Sequence, residues 1–298
     1  MSTTATRSRS DSAPGLVRPL REAQLGLGTV YLVHPGGSAA SVHRSLAGAL
    51  PQGVGLTVLD LAQLPEYHQG ALDGGRTATA LATLADRLAG QLAELTGAAP
   101  DSPWSLGGWA FGGVLAQALV ERLPADRRPA ELVLLDSIAP VAAHRRSGGE
   151  PEPAQLLRRF AMYLGVRHGR RIELDPQRLA GCDPDRGLLL VLDAAIGAGA
   201  VLPDTPPPGL RKLYETYADA LARDDRLIAA HRPGPASVPL VLVTAEHGLL
   251  PGDDTLGWGQ LAGAGLTVHR CAGDHYTMLI RPDATALIAG LLRPTGRD

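Results

Sequence analysis

Apolar residues come in short unbroken runs that end at Gly, Pro or a charged residue, and these runs alternate with stretches whose leucines recur every three or four positions. The runs are TVYLVHPGG (29–37), GLTVLDLAQLP (55–65), SPWSLGGW (102–109), AELVLLDSIAP (130–140), SVPLVLVTAEHG (237–248) and AGLTVHRCAGDH (264–275). Their apolar side chains sit at successive positions, which predicts strands buried on both faces, as in a parallel sheet between helices. Helical spacing fills residues 76–95, where Leu81, Leu84, Leu88, Leu92 and Leu95 form one stripe, and returns at 111–123 and 283–292. Strand and helix in alternation make the fold class α/β, with a mostly parallel central sheet and helices on both faces.

The alternation breaks between residues 141 and 236, which hold helical runs at 153–165, 186–197 and 209–228, split by RRSGGEPEP and LPDTPPPG. This predicts a helical insertion between two strands. It leaves from the C-terminal end of a strand, where such sheets bind ligands, so a lid over a pocket is expected. An ordinary helical subdomain with no gating role is the alternative. Residues 1–15 are polar without an apolar centre; they are no secretory signal, and a disordered tail is expected there. The expected organisation is that tail, then a single domain over 16–298 with 141–236 as its lid.

Composition narrows the function. With 45% hydrophobic and 19% charged residues the chain reads as a soluble globular protein, and a net charge of −2 gives no electrostatic case for nucleic acid or a membrane surface. No apolar run reaches the roughly 18 residues of a transmembrane span, so a cytoplasmic location is expected. Lys212 is the only lysine, and the arginine bias reads as that of a GC-rich genome, not as phosphate recognition. Cys182 and Cys271 are expected as buried thiols, neither a disulfide nor metal ligands. No metal-ligand spacing or phosphate-loop signature appears, and GGWAFGG lacks dinucleotide-loop spacing, so no cofactor is expected.

One stretch carries chemistry. LGGWAFGGVLAQAL (106–119) sets Gly108, Ala110 and Gly112 where the G-x-S-x-G nucleophile elbow has Gly, Ser and Gly. Such a turn offers the backbone N–H of the next residue, Phe111, and the early loop Gly36–Gly37–Ser38 offers a second donor; together they predict an oxyanion hole. Asp136 closes the fourth run, where it orients a histidine or merely caps a turn. His275, between the last strand and last helix, is the candidate base, in the chain order nucleophile, Asp, His. Glu246, ending the next strand, is the alternative acid. His34 borders the early loop and is expected to be structural; Asp253 and Asp254 read as solvated loop residues.

VYLVHPGG (30–37), SLGGWAFGG (105–113), LVLLDSIAP (132–140) and GDHYTML (273–279), in that order, resemble the thioesterase family of polyketide and nonribosomal-peptide assembly lines. The resemblance covers nearly the whole chain after the tail. It implies an α/β-hydrolase fold and a serine acylated by a substrate that an acyl or peptidyl carrier protein presents on phosphopantetheine, then released by water, an internal hydroxyl or an amine. The expected lid and the many Leu, Ala and Val side chains suggest a largely apolar tunnel, with Tyr163, Tyr214 and Tyr217 as either lining or, at their helical spacing, core. With no carrier or adenylation segment visible upstream, a free-standing member is expected. Ala110 departs from the pattern, because alanine has no atom that attacks a thioester. The alanine fits a deliberate Ser-to-Ala change, a natural serine-less catalyst with His275 as general base, or a non-catalytic acyl-chain or carrier-binding protein. Ser38 and Ser137 are the substitute nucleophiles to weigh.

Overall fold

A computed structural model describes residues 15–72, 79–144, 152–250 and 252–294. Seven strands form one sheet: β1 (Val17–Arg21), β2 (Thr29–His34), β3 (Gly55–Asp60), β4 (Trp104–Trp109), β5 (Leu132–Leu135), β6 (Leu240–His247) and β7 (Leu266–Asp274). Their spatial order is β1-β3-β2-β4-β5-β6-β7; only β1 runs antiparallel, along β3. All six expected strands form. The sequence pattern missed β1, VRPLR, whose arginines and proline hide any apolar run; it lies at the sheet edge, with Pro19 at an irregularity in the register, where a missing N–H is tolerated.

The unbroken apolar runs have a physical cause. Within β2, Val30 and Leu32 enter one core while Tyr31 and Val33 enter the other; β5 divides likewise into Val133 and Leu135 against Leu132 and Leu134. Helices α1 (Arg44–Ala49), α2 (Pro65–Leu72), α3 (Leu81–Gly97) and α4 (Phe111–Val120) lie between the early strands. The leucine stripe of α3 shares a core with α4, and α1 shares the opposite core with the last helix. The expected helix start at 76 falls outside the described residues as far as 78. Neither α1 nor α2 was foreseen, being too short to show a period.

From β5 to β6 the described chain holds helices alone: α5 (Pro153–Arg167), α6 (Pro176–Leu179), α7 (Pro184–Gly197) and α8 (Pro207–Ala230), before α9 (Pro282–Leu291) closes the fold. Proline opens α5, α7, α8 and α9, where a helix has no use for the missing N–H, and Asp183 caps α7 by accepting from the Arg186 N–H at 2.9 Å. The inserted helices pack on one another, and α8 also touches α3. The expected tail lies, apart from Gly15, outside the described residues. Among the described residues no helix is long and apolar enough to cross a membrane.

Candidate active site

The chain leaves β2 toward β3 and leaves β4 toward β5, in opposite directions, so a crevice opens at the C-terminal ends of two neighbouring strands. Register levels the ends: Val33 lies beside Gly108, Trp109 beside Leu135, and Leu135 beside Val243. The loop after β2, the turn after β4 and the residue after β5 therefore meet.

Ala110 is that turn. It caps α4 at φ 52° and ψ −125°, a conformation L-residues rarely adopt, and its N–H donates to Leu135 O at 3.0 Å. The flanking glycines are sterically required: a Cβ on Gly108 would strike the backbone of Gly112, and one on Gly112 the carbonyl of Val33. The turn begins a helix whose first amides lack intrahelical acceptors, Phe111 N–H among them.

Asp136 follows β5 at φ 42° and is buried; its Oδ1 accepts the Ala245 N–H (3.1 Å), and its Oδ2 accepts from His275 Nδ1 (2.7 Å). With the proton on Nδ1, His275 Nε2 is left as a bare basic nitrogen. Glu246 is exposed and is absent from the lining of the cavity that His275 faces, and of the two it is Asp136 that meets His275. Trp109, which the sequence pattern did not single out, carries the histidine: its indole stacks on the His275 ring at 5.0 Å and its Nε1–H donates to His275 O at 3.2 Å.

The other side of Trp109 stacks on His34 at 5.7 Å. His34 Nε2 donates to Ser38 O (2.9 Å), so its Nδ1 must accept, and His43 Nε2 supplies that proton at 3.0 Å. His43 Nδ1 is left buried without a partner among the described residues. Burial lowers the pKa of both rings, which keeps this relay neutral and fixes the loop after β2. Gly37 and Ser38 of that loop face the same cavity as Ala110, whereas Gly36 is pressed against Tyr67 and Ala62 and does not line it.

The cavity, of about 280 Å³, is bounded below by Ala110, Phe111 and His275 and above by Tyr217, Ala220 and Leu221 of α8. Residues of the inserted α8 thus line the cavity. Tyr217 lines it, while Tyr163 and Tyr214 pack against Phe160 outside the lining. Asp224 lines it too, buried, with Oδ1 accepting from Tyr67 OH at 2.7 Å. Burial pushes its carboxyl up to about 7 against the pull of Tyr67 and Arg223.

The sequence profile of the family described as "Thioesterase domain" matches residues 28–291. The chain belongs to the thioesterase domain family. It is 25% identical over 197 residues to the non-reducing polyketide synthase atnG of Arthrinium sp., covering 66% of this chain but 9% of that one. Among solved structures it is similar to holo-AB3403, a four-domain nonribosomal peptide synthetase bound to AMP and glycine (TM-score 0.63, 24% identity, 95% of this chain and 20% of that one). It is also similar to the NocB thioesterase domain in covalent complex with a fluorophosphonate nocardicin G analogue (TM-score 0.56, 21% identity, 92% and 97%). This thioesterase domain thus has the α/β-hydrolase fold, is homologous to assembly-line thioesterases, and spans a small part of the larger relatives.

Several expectations need correction in this thioesterase domain. Cys182 is half-buried, not buried; Cys271 is buried, its thiol pushed up to about 11 by burial. Asp253 is no freely solvated residue: it accepts from Thr255 N (2.9 Å) and Oγ1 (2.8 Å) and pairs with His144 Nε2 at 3.4 Å, while Asp254 is exposed. Ser137 is fully buried with its Oγ against Gly113, out of reach of the cavity; the Oγ of Ser38 lies 3.5 Å from His34. Among the described residues no cluster of three or more His, Cys, Asp and Glu could hold a metal ion.

Proposed function

We propose that this chain releases an acyl or peptidyl chain from the phosphopantetheine thiol of a carrier protein by direct general-base catalysis, without an acyl-enzyme at position 110. The observation that carries this reading is the complete apparatus around a residue with no nucleophilic atom: His275 held by Asp136 and Trp109, facing one cavity with Phe111, Gly37 and Ser38.

In the step proposed, His275 Nε2 takes the proton of water, or of a hydroxyl or amine within the acyl chain, as that atom bonds to the thioester carbon. The carbonyl electron pair moves onto oxygen, where the N–H of Phe111 and those of the loop after β2 receive it. When the carbonyl re-forms, the C–S bond breaks and the sulfur leaves with the proton from His275. The products are the carrier thiol and a free acid, or a ring where the nucleophile is internal. No residue changes oxidation state, and no cofactor is needed beyond the arm that bears the substrate.

The test is turnover of N-acetylcysteamine thioesters followed by mass spectrometry. The chain as given is expected to release product with no mass added to the protein, and His275→Ala to lose about 10²–10⁴ of that rate. Ala110→Ser is expected to show an acyl adduct at position 110. Activity confined to Ala110→Ser, with tight carrier binding by the unchanged chain, would overturn the proposal in favour of a holding protein.

A further inference from the structure

Most of the cavity wall is aliphatic or aromatic, but one part of it is built from donors. Arg159 of α5, Tyr217 of α8 and Tyr276, the residue after His275, all line it. The two hydroxyls are 2.9 Å apart, and both tyrosines are buried. A pair of hydroxyls consumes one of its two O–H groups in its own hydrogen bond, and among the described residues the second has no acceptor. The charge of Arg159 acts on both, lowering pKa values that burial raises. Its guanidinium, which can only donate, is in no ion pair with a carboxylate among the described residues; the two carboxylates that α8 adds to the same wall, Asp224, bound to Tyr67, and Asp225, come about two helical turns after Tyr217.

The rings are held in place before any ligand arrives. Tyr217 stacks on Tyr163 at 4.9 Å, and Tyr276 meets Trp109 edge-on at 5.5 Å. A fixed, half-buried group of donors with one O–H and one guanidinium to spare calls for an acceptor from outside the protein, because an unmade hydrogen bond in such a place is costly.

We infer that Arg159, Tyr217 and Tyr276 bind an oxygen of the acyl chain itself, a ketone or carboxylate oxygen a few atoms from the thioester carbon. The inference rests on the reading of the cavity as the acyl site, and it adds the class of acyl chain: oxygenated, not plain aliphatic. The reacting carbonyl belongs to Phe111 and the loop after β2; this second oxygen is recognised by different groups.

Binding is measured by calorimetry on the whole chain, using octanoyl amides of N-acetylethylenediamine, whose nitrogen in place of sulfur prevents turnover. One member is unsubstituted; the others carry a single keto oxygen at successive carbons from the β-position outward, or a terminal carboxylate. The expected result is that at least one oxygenated member binds about tenfold tighter than the plain amide, as one charge-assisted hydrogen bond allows. Arg159→Met and Tyr217→Phe are expected to remove that preference while binding the plain amide within about twofold, the plain amide serving as the check on folding; Arg159→Lys restores part of it. Equal affinity across the series, undetectable binding of every member, or an equal loss for plain and oxygenated amides in Arg159→Met would overturn the proposal. The oxygen preference does not depend on turnover, so a chain that shows it but hydrolyses nothing refutes the catalytic reading and leaves this one standing.

Discussion

Position 110 shows how backbone and side chain can part company. The turn needs φ 52° whether or not a nucleophile is mounted on it, because it is set by β4 entering α4 between Gly108 and Gly112. For alanine this conformation costs on the order of 1–3 kcal/mol, and glycine adopts it freely. Ala110→Gly is therefore expected to raise the melting temperature by roughly 2–4 °C, offset in part by the greater entropy glycine loses on folding. A thermal melt decides it; an unchanged or lower value means the turn holds no strain. The motif residues Ala110, Asp136 and His275 could be read from the chain because each sits at a strand end with a recognisable neighbour. Trp109, His43 and Arg159 could not, since an aromatic or basic residue carries no spacing that reveals what it touches.

At the scale of elements, the inserted α8 is joined to the loop after β2 through Tyr67 and Asp224. Tyr67 leans on Gly36 of the loop after β2, its hydroxyl donates to Asp224 on α8, and the Arg223 guanidinium lies 4.7 Å from its ring centroid. Burial raises the Asp224 pKa to about 7, with Arg223 and Tyr67 opposing and Asp225 adding to the rise. The native state therefore keeps a proton that the unfolded chain releases in the ordinary carboxylate range. Stability is fully present below that range and is lost as pH rises toward and through 7. Asp224→Asn still accepts from Tyr67 but does not ionise. Its melting temperature is expected to match the parent near pH 4 and exceed it by at least about 2–4 °C at pH 8. A gap that does not widen with pH would show that Asp224 is not held neutral. The helices of the lid were visible in the sequence as periodic stretches bounded by Pro and Gly. Their attachment was not, because Tyr67 and Asp224 are 157 residues apart and neither belongs to an apolar stripe.

For the whole molecule, most of the architecture follows from one property: five strands, β2 to β6, buried on both faces and separated by long connections force a parallel sheet between two cores. That is why the fold class and the strand ends carrying the site could be read from the sequence. The edge strand β1 escaped because a strand with one partner and an exposed flank needs no apolar run. The cavity escaped in its detail because its lower wall comes from strand ends and its roof from α8, and only their meeting defines which side chains face inward. The indole of Trp109, lying between His34 and His275, has an optical consequence. The emission of an indole depends on the rings stacked against it, and of the three tryptophans Trp109 is the one that lines the cavity; Trp104 meets Tyr31 edge-on and Trp258 donates to Ser137 O. The protein thus contains its own fluorescent indicator. His275→Ala, which removes one of the two stacked rings, is expected to change that emission, and an unchanged spectrum would show that the contact is not formed. The indicator would let the filling of the cavity be followed while an acyl thioester binds, with no label attached.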